Sequence, residues 1–395
     1  MKNKGSTKRI LAVIVLAQFL GTSLWFAGNA VMGSLAEELH LADTALGHIT
    51  SAVLFGFITG TLVYAFFNMA DRFSPSLVFL LSAVAGGIFN LGIILEGLTL
   101  TQLLLFRFLT GFFLAGIYPV GMKIAADYYK QGLGKSLGFL VGALVLGTAF
   151  PHLLTGFSTS LPWRFVLVAT TGLAVSGGIL IFLLVPDGPH RAPRQKLDLS
   201  AIAKVFKNRP FRAAAFGYFG HMWELFAFWA FVPVILTTYL LYRPESSLNV
   251  PLLSFLIIGS GGLACVLAGY MSQKTGAEKT ASVALFLSFL CCLLSPAMLY
   301  MPPGILITFL IFWGLTVIAD SPMFSTLVAH HAPPEFKGTA LTIVNCIGFA
   351  ITIVSVQLIN ALQGLIDPEY LYLVLAAGPL LGLLAMRKNH HPENR

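Results

Sequence analysis

Three ionisable side chains interrupt long apolar stretches of this chain: Arg107, Glu224 and Asp320. A charge in an apolar segment is costly, and residues kept there despite that cost are functional candidates. A guanidinium is planar, stays charged and can grip a carboxylate through two parallel hydrogen bonds, so Arg107 is the expected hook for an anionic solute. A carboxylate loses its hydration in apolar surroundings, which suits Glu224 and Asp320 to take up and release protons. His221 lies three residues before Glu224, on nearly the same helical face. Trp313, Thr316 and Asp320 share one face through their i, i+3, i+7 spacing. Gln18, Thr22, Trp25 and Asn29 form a polar and aromatic stripe, which faces a cavity or a neighbouring helix rather than lipid. Tyr118 continues the Arg107 face through Gly111 and Leu114, and His152 and Asn345 are further polar candidates. Each of these residues has a structural alternative, a permanent hydrogen bond or ion pair inside the protein. Trp223 and Trp229 are read as packing or lipid-facing aromatics.

The elements that hold these residues follow from composition. Of 395 residues, 57% are hydrophobic and 10% charged, against about 25% charged in ordinary globular domains. Too little polar surface remains to cover a soluble fold of this size. Apolar runs bounded by charges, Gly and Pro predict twelve spans, near 10–32, 45–67, 77–95, 101–125, 136–157, 164–185, 212–238, 252–272, 280–300, 304–328, 339–362 and 369–386. The expected fold is therefore an all-α integral membrane protein. The first run has no small-residue cleavage site and reads as a retained helix. With the N-terminus inside, every Lys and Arg except Arg107, Arg164 and Arg243 falls on the cytoplasmic side. The net charge of +8 is thus explained by orientation in a bilayer, without nucleic acid, and both termini are expected in the cytoplasm. The four cysteines lie inside apolar runs with no metal-ligand spacing. No phosphate-cradling loop or HExxH motif is present, so no cofactor, metal, ATP drive or enzyme chemistry is expected.

The polar stretch 186–211 divides the spans six and six, which predicts bundles over 1–185 and 212–395 joined by a cytoplasmic linker. The halves echo each other. Asp71-Arg72 and Gln273-Lys274 are 202 residues apart, as are Lys135 and Lys337, and Pro119 and Pro322 are 203 apart. Such duplicated bundles are a transporter architecture, with a solute site between the halves near mid-membrane.

The chain resembles the major facilitator superfamily over essentially its whole length. That family carries G-x-x-x-D-R-x-G-R/K after its second helix, with a weaker copy after the eighth. Here the first copy reads from Phe67 through Asp71 and Arg72 to Pro75, keeping the acid–base pair and losing both glycines and the final base. The second copy keeps Gly269, Lys274 and Gly276 and has Gln273 in place of the acid. Arg107, Thr110 and Gly111 match the fourth-helix pattern, and Gly138, Gly147 and Pro151 partly match the fifth-helix motif of the antiporters. The stretch Tyr218–Pro233 is similar to the seventh helix of permeases grouped with cyanate and nitrate carriers. The resemblance implies two pseudo-symmetric six-helix bundles whose first, fourth, seventh and tenth helices line the cavity; Arg107, Glu224 and Asp320 all fall on that set. It also implies conformational roles for Asp71, Arg72, Gly269, Lys274 and Gly276, and a link between Arg107 and proton coupling.

The expected function is secondary active transport of a small anionic, zwitterionic or amphipathic solute, proton-coupled, by a monomer in the cell inner membrane. The expected partners are the solute, protons and the lipid bilayer. Gln18, Trp25, Asn29, Arg107, Tyr118, His221, Trp313 and Asn345 are the expected solute contacts, and Glu224, Asp320 and Arg107 the expected coupling residues. A passive facilitator or a drug/H⁺ export antiporter of the same fold is the alternative. A membrane enzyme or lipid-handling protein is a more distant one.

Overall fold

The computed structural model describes residues 4–42, 44–129, 133–157, 162–191 and 201–387. Lipid offers no hydrogen bonds to the backbone, so an apolar chain must satisfy its peptide groups internally, and helices do this. Among the described residues, ten helices or helix pairs are long and apolar enough to cross a membrane, and two shorter apolar helices, Arg9–Thr22 and Leu371–Arg387, bring the spans to twelve. The protein is a multi-pass, all-α membrane protein built as two pseudo-symmetric bundles. Phe55, Leu183, Phe286 and Val354 are among the large apolar side chains left exposed for lipid.

Packing repeats between the halves. In the first, the second span packs on the fourth, the third on the sixth, and the first on the fifth and sixth. In the second, the eighth packs on the tenth, the ninth on the twelfth, and the seventh on the eleventh and twelfth. Close approach uses matching glycines. Gly111 of the fourth span lies against the Val53 carbonyl, and Gly314 of the tenth against the Ile257 carbonyl, at offsets of 203 and 204 residues.

The first, fourth and tenth spans are not simple rods. The first was expected to run unbroken over 10–32; its helix Lys4–Thr22 instead stops, residues 23–26 form turns, and helices Ala27–Ala30 and Met32–Leu39 follow. The fourth is split into Leu100–Leu114 and Tyr118–Tyr128, so Tyr118 starts a new helix and does not continue the Arg107 face. The tenth is split at Asp320 into Pro303–Ala319 and Ser321–His331. Pro119 and Pro322 sit just after the two latter breaks. Proline has no N–H for the carbonyl four residues back, and in the tenth span Cys265 Sγ lies 3.6 Å from that carbonyl, on Ile318. The seventh span is one helix, Arg209–Tyr242, in spite of Pro233.

The bundles meet through the fifth and eighth spans and through the second and eleventh. Gly142 faces Gly262 so closely that a Cβ on it would lie 2.9 Å from the Gly262 carbonyl. Gly147, on another face of the same helix, packs against Phe19 and Thr22 of the first span. Hydrogen bonds across the interface gather at one end. Gln357 Nε2 donates to the Gly47 carbonyl (3.0 Å) and Ser51 Oγ (2.7 Å), Asn360 Nδ2 to the Thr44 carbonyl (3.1 Å), and Asn249 Nδ2 to the Gly156 carbonyl (3.4 Å). The expected linker falls partly on residues 192–200, and Lys135 on side chains, outside those described; a short helix, Ala201–Val205, precedes the seventh span.

Candidate functional site

The middle of the interface is aromatic. Trp25 stacks on Phe226 and Phe349 of the other bundle, with ring centroids 5.5 and 5.9 Å apart, and tilts against Phe57 at 4.9 Å. Phe226 also meets Phe26 and Trp229, and Phe26 meets the edge of His152. Flat apolar walls of this kind suit a planar ring.

Arg107 is fully buried, and its position explains the first-span break. Nη1 donates to the Leu24 carbonyl at 3.3 Å and Nη2 to the Trp25 carbonyl. In an unbroken helix those carbonyls would accept from Gly28 and Asn29. Gly28 makes room, since a Cβ there would lie 3.1 Å from Arg107 Nε. In this conformation the two terminal nitrogens therefore serve the break, and Nε has no hydrogen-bond partner among the described residues.

The carboxylates form a two-rung ladder between the seventh and tenth spans. On one rung, Glu224 Oε1 accepts from Trp313 Nε1 and Ser288 Oγ, both at 2.5 Å, with Cys292 Sγ at 3.3 Å. On the other, His221 Nδ1 lies 2.8 Å from Asp320 Oδ1. This second pair is close but poorly aligned for a hydrogen bond, so both of its members keep free bonding capacity. All four residues are essentially inaccessible to solvent. The helices run antiparallel, so a spacing of three on one meets seven on the other. The spacing rules placed each residue on a face; only the structure shows that the faces meet.

The other expected contacts scatter. Tyr218 donates to Asn345 Oδ1 at 2.8 Å, and Asn29 Nδ2 donates to Thr50 Oγ1 at 2.7 Å. Gln18 is buried beside Gly121, with neither amide atom paired among the described residues. Tyr118 packs against the core. Trp229 is fully buried, so it does not face lipid, while Trp223 donates to the Val374 carbonyl at 3.0 Å.

A separate network ties the loop after the second span. Asp71 pairs with Lys123 of the fourth span at 2.8 Å, and Lys123 also approaches Asp127 at 3.5 Å. Arg191, from the segment after the sixth span, pairs with Asp187 at 2.6 Å and donates to the Asp71 carbonyl at 2.9 Å and the Phe73 carbonyl at 2.5 Å. Arg191 thus ties this loop to the segment after the sixth span. Arg72 was expected to share Asp71's task, but it is exposed and lies over the Phe73 ring. Asn68, next to the first lost glycine position at Phe67, takes the left-handed conformation at φ 51°. In the second copy Gly269 is helical with open space beside it, and the turn rests on Gly276 at φ 85°. Lys274 is exposed in the last turn of its helix, where a positive charge suits the helix dipole. Sequence reading missed Lys123, Asp127 and Arg191 as partners, because nothing in their spacing shows which loop they reach.

Residues 14–356 match the family model of the Major Facilitator Superfamily. Among curated proteins, the chain is similar to the 4-hydroxybenzoate transporter PcaK of Pseudomonas aeruginosa, at 28% identity over half of this chain. The aligned stretch spans 47% of that relative's length. Among solved structures, it is similar to the proton:xylose symporter XylE at TM-score 0.74 and 14% identity, covering 98% of this chain and 96% of that one. The human organic anion transporter MFSD10 is similar at TM-score 0.75 and 16% identity, covering 96% and 99%. At these identities the structures speak for the fold.

Proposed function

From the premise that this chain belongs to the Major Facilitator Superfamily, we propose that it is a secondary active transporter of a small aromatic carboxylate, driven by protons. The family is one of transporters, not of enzymes. The observation that carries the reading is the buried ladder of Glu224, Trp313, His221 and Asp320 beside the aromatic interface of Trp25, Phe226 and Phe349. Donors hold the Glu224 carboxylate in place, and the His221 imidazole lies beside the Asp320 carboxylate. Rocking of the bundles alters water access and donor geometry together, so each carboxylate holds its proton differently in the two states. The aromatic walls supply the ring site. The curated relative PcaK is a transporter of 4-hydroxybenzoate, an aromatic acid.

In this reading Gln18, Trp25, Asn29, Arg107, Tyr118, His221, Trp313 and Asn345 line the solute's path. Glu224 and Asp320 exchange the proton, and Arg107 links it to the first-span break. Asp71, Arg72, Gly269, Lys274 and Gly276 act in the conformational cycle. The bundles are 1–185 and 212–395, with 186–211 as a cytoplasmic linker, and the protein works as a monomer in the cell inner membrane with both termini inside. A passive facilitator is the second reading, favoured by the internal bonding of Arg107 and of Glu224 Oε1. The test is uptake of labelled benzoate and 4-hydroxybenzoate into proteoliposomes, with and without an imposed pH gradient. Accumulation that requires acid outside supports coupling. Equilibration without accumulation supports the facilitator, and accumulation driven by acid inside supports an export antiporter.

A further inference from the structure

Several side chains around the Phe26–Phe226 contact are buried with polar atoms that have no partner among the described residues. They are Trp25 Nε1, Thr148 Oγ1, His152 Nε2 and Trp229 Nε1. Each belongs to a residue at most 2% exposed. Buried polar atoms without partners are rare in folded proteins, and each needs an explanation. Ring contacts link three of these residues through Phe26 and Phe226. Trp25 and Trp229 touch Phe226 at 5.5 and 5.2 Å, and His152 touches Phe26 at 6.4 Å, itself 6.3 Å from Phe226. Thr148 lies four residues before His152, on the same helical face. The linked rings lie between the bundles, since Trp25 and Phe26 come from the first and Phe226 and Trp229 from the second.

The chemistry of these atoms selects the ligand. An indole N–H donates and cannot accept, so two of them together call for an acceptor. A threonine hydroxyl donates, and so does His152 Nε2 in one tautomer. The nearest fixed cation, Arg107, has both terminal nitrogens on the Leu24 and Trp25 carbonyls.

We propose that the carboxylate of the solute is held by the neutral donors of Trp25 and Trp229, with His152 and Thr148 completing the cradle, and that Arg107 is a positioning residue that fixes Trp25. This rests on the aromatic-acid reading above and names the groups that recognise the acid. A neutral cradle has a consequence for transport. It grips an anion only while water is excluded, because hydrogen bonds to a charge strengthen in a low-dielectric site. Opening either end weakens the grip and releases the solute, which a guanidinium in a permanent ion pair would not do.

The test is calorimetric titration of the purified full-length protein with benzoate and with benzyl alcohol, which keeps the ring and lacks the carboxylate. Trp25→Phe, Trp229→Phe and His152→Phe each keep an aromatic ring in place and remove one donor. Each is expected to weaken benzoate binding about tenfold, the scale of one hydrogen bond to a charged group, and to leave benzyl alcohol within about twofold. Melting curves of the free variants identify any that fails to fold, and the remaining two still decide the matter. Wild-type binding of benzoate that the folded variants leave unchanged, or equal losses for both probes, overturns the cradle and leaves the aromatic-acid reading standing. Failure of the wild type to bind benzoate overturns both.

Discussion

Replacing Glu224 separates what its carboxylate holds together from what it does in transport. Oε1 accepts from Ser288 and Trp313 at 2.5 Å each. Glu224→Gln keeps a carbonyl oxygen of the same shape, so both donors retain an acceptor and only the ability to titrate is lost. Glu224→Leu removes the acceptor. Ser288 Oγ can turn to a carbonyl of its own helix, but Trp313 Nε1 can only donate and is left buried and unpaired, at a cost of about 1–3 kcal/mol. The expected melting order is therefore wild type close to Glu224→Gln, with Glu224→Leu clearly lower. Transport should not follow that order. For one proton per neutralised solute, a gradient of one pH unit supports accumulation of up to about tenfold, since a unit of pH is 1.36 kcal/mol. Wild type should approach that figure in proteoliposomes, while both variants should only equilibrate solute, with exchange intact. Accumulation by Glu224→Gln would show that the carboxylate is structural, and Asp320→Asn in the same assay would then identify the carrier. If Glu224→Leu melts with Glu224→Gln, the hydrogen bond from Trp313 contributes nothing.

Lys123→Met should slow cycling and leave solute affinity unchanged, because it frees Asp71 and Asp127 together; the stability cost is about 1 kcal/mol or less for a partly exposed pair, and stopped-flow exchange with equilibrium titration checks both parts. Gly276→Ala should cost about 1–3 kcal/mol, since φ 85°, ψ 152° is a region essentially reserved for glycine; a melting curve matching wild type would contradict this. Gly142→Leu should hold the fifth and eighth spans apart and reduce transport without unfolding either bundle, a loss that uptake assays paired with size-exclusion profiles detect. Lys274→Cys should be labelled from the cytoplasmic side and Leu365→Cys from the other, both being exposed; the reverse pattern would invert the orientation.

The span count was legible because twelve apolar runs are separated by charges, Gly and Pro, and lipid allows such runs little except helix. The duplication was legible because Pro119 and Pro322 punctuate corresponding helices. The break in the first span was not. Ser23–Phe26 contains no Pro or Gly, and what stabilises the interruption is Arg107, more than eighty residues away in the chain, seated against Gly28. The cost of a charge in an apolar run marked Glu224 and Asp320, and periodicity marked Trp25, since it reports the face of a single helix. It was silent on the antiparallel register that sets Glu224 beside Trp313 and His221 beside Asp320. It also undervalued Trp229 and His152, whose interest lies in donors without partners, a property of their surroundings.

The hydrogen bonds that join the bundles at one end are donated by the carboxamides of Gln357, Asn360 and Asn249. Amides neither titrate across the physiological range nor lose strength to dissolved salt as ion pairs do. That catch therefore does not respond directly to acidity, and in the proposed coupling acidity would reach it through movement of the seventh and tenth spans. Neutral hydrogen bonds contribute about 0.5–1.5 kcal/mol each, so the catch amounts to a few kcal/mol, the size of gap between two conformations that differential ligand affinity can overcome. A closure of that size is slight enough for one bound molecule to undo, and the proposed proton carriers, Glu224 and Asp320, lie on other spans than its amides.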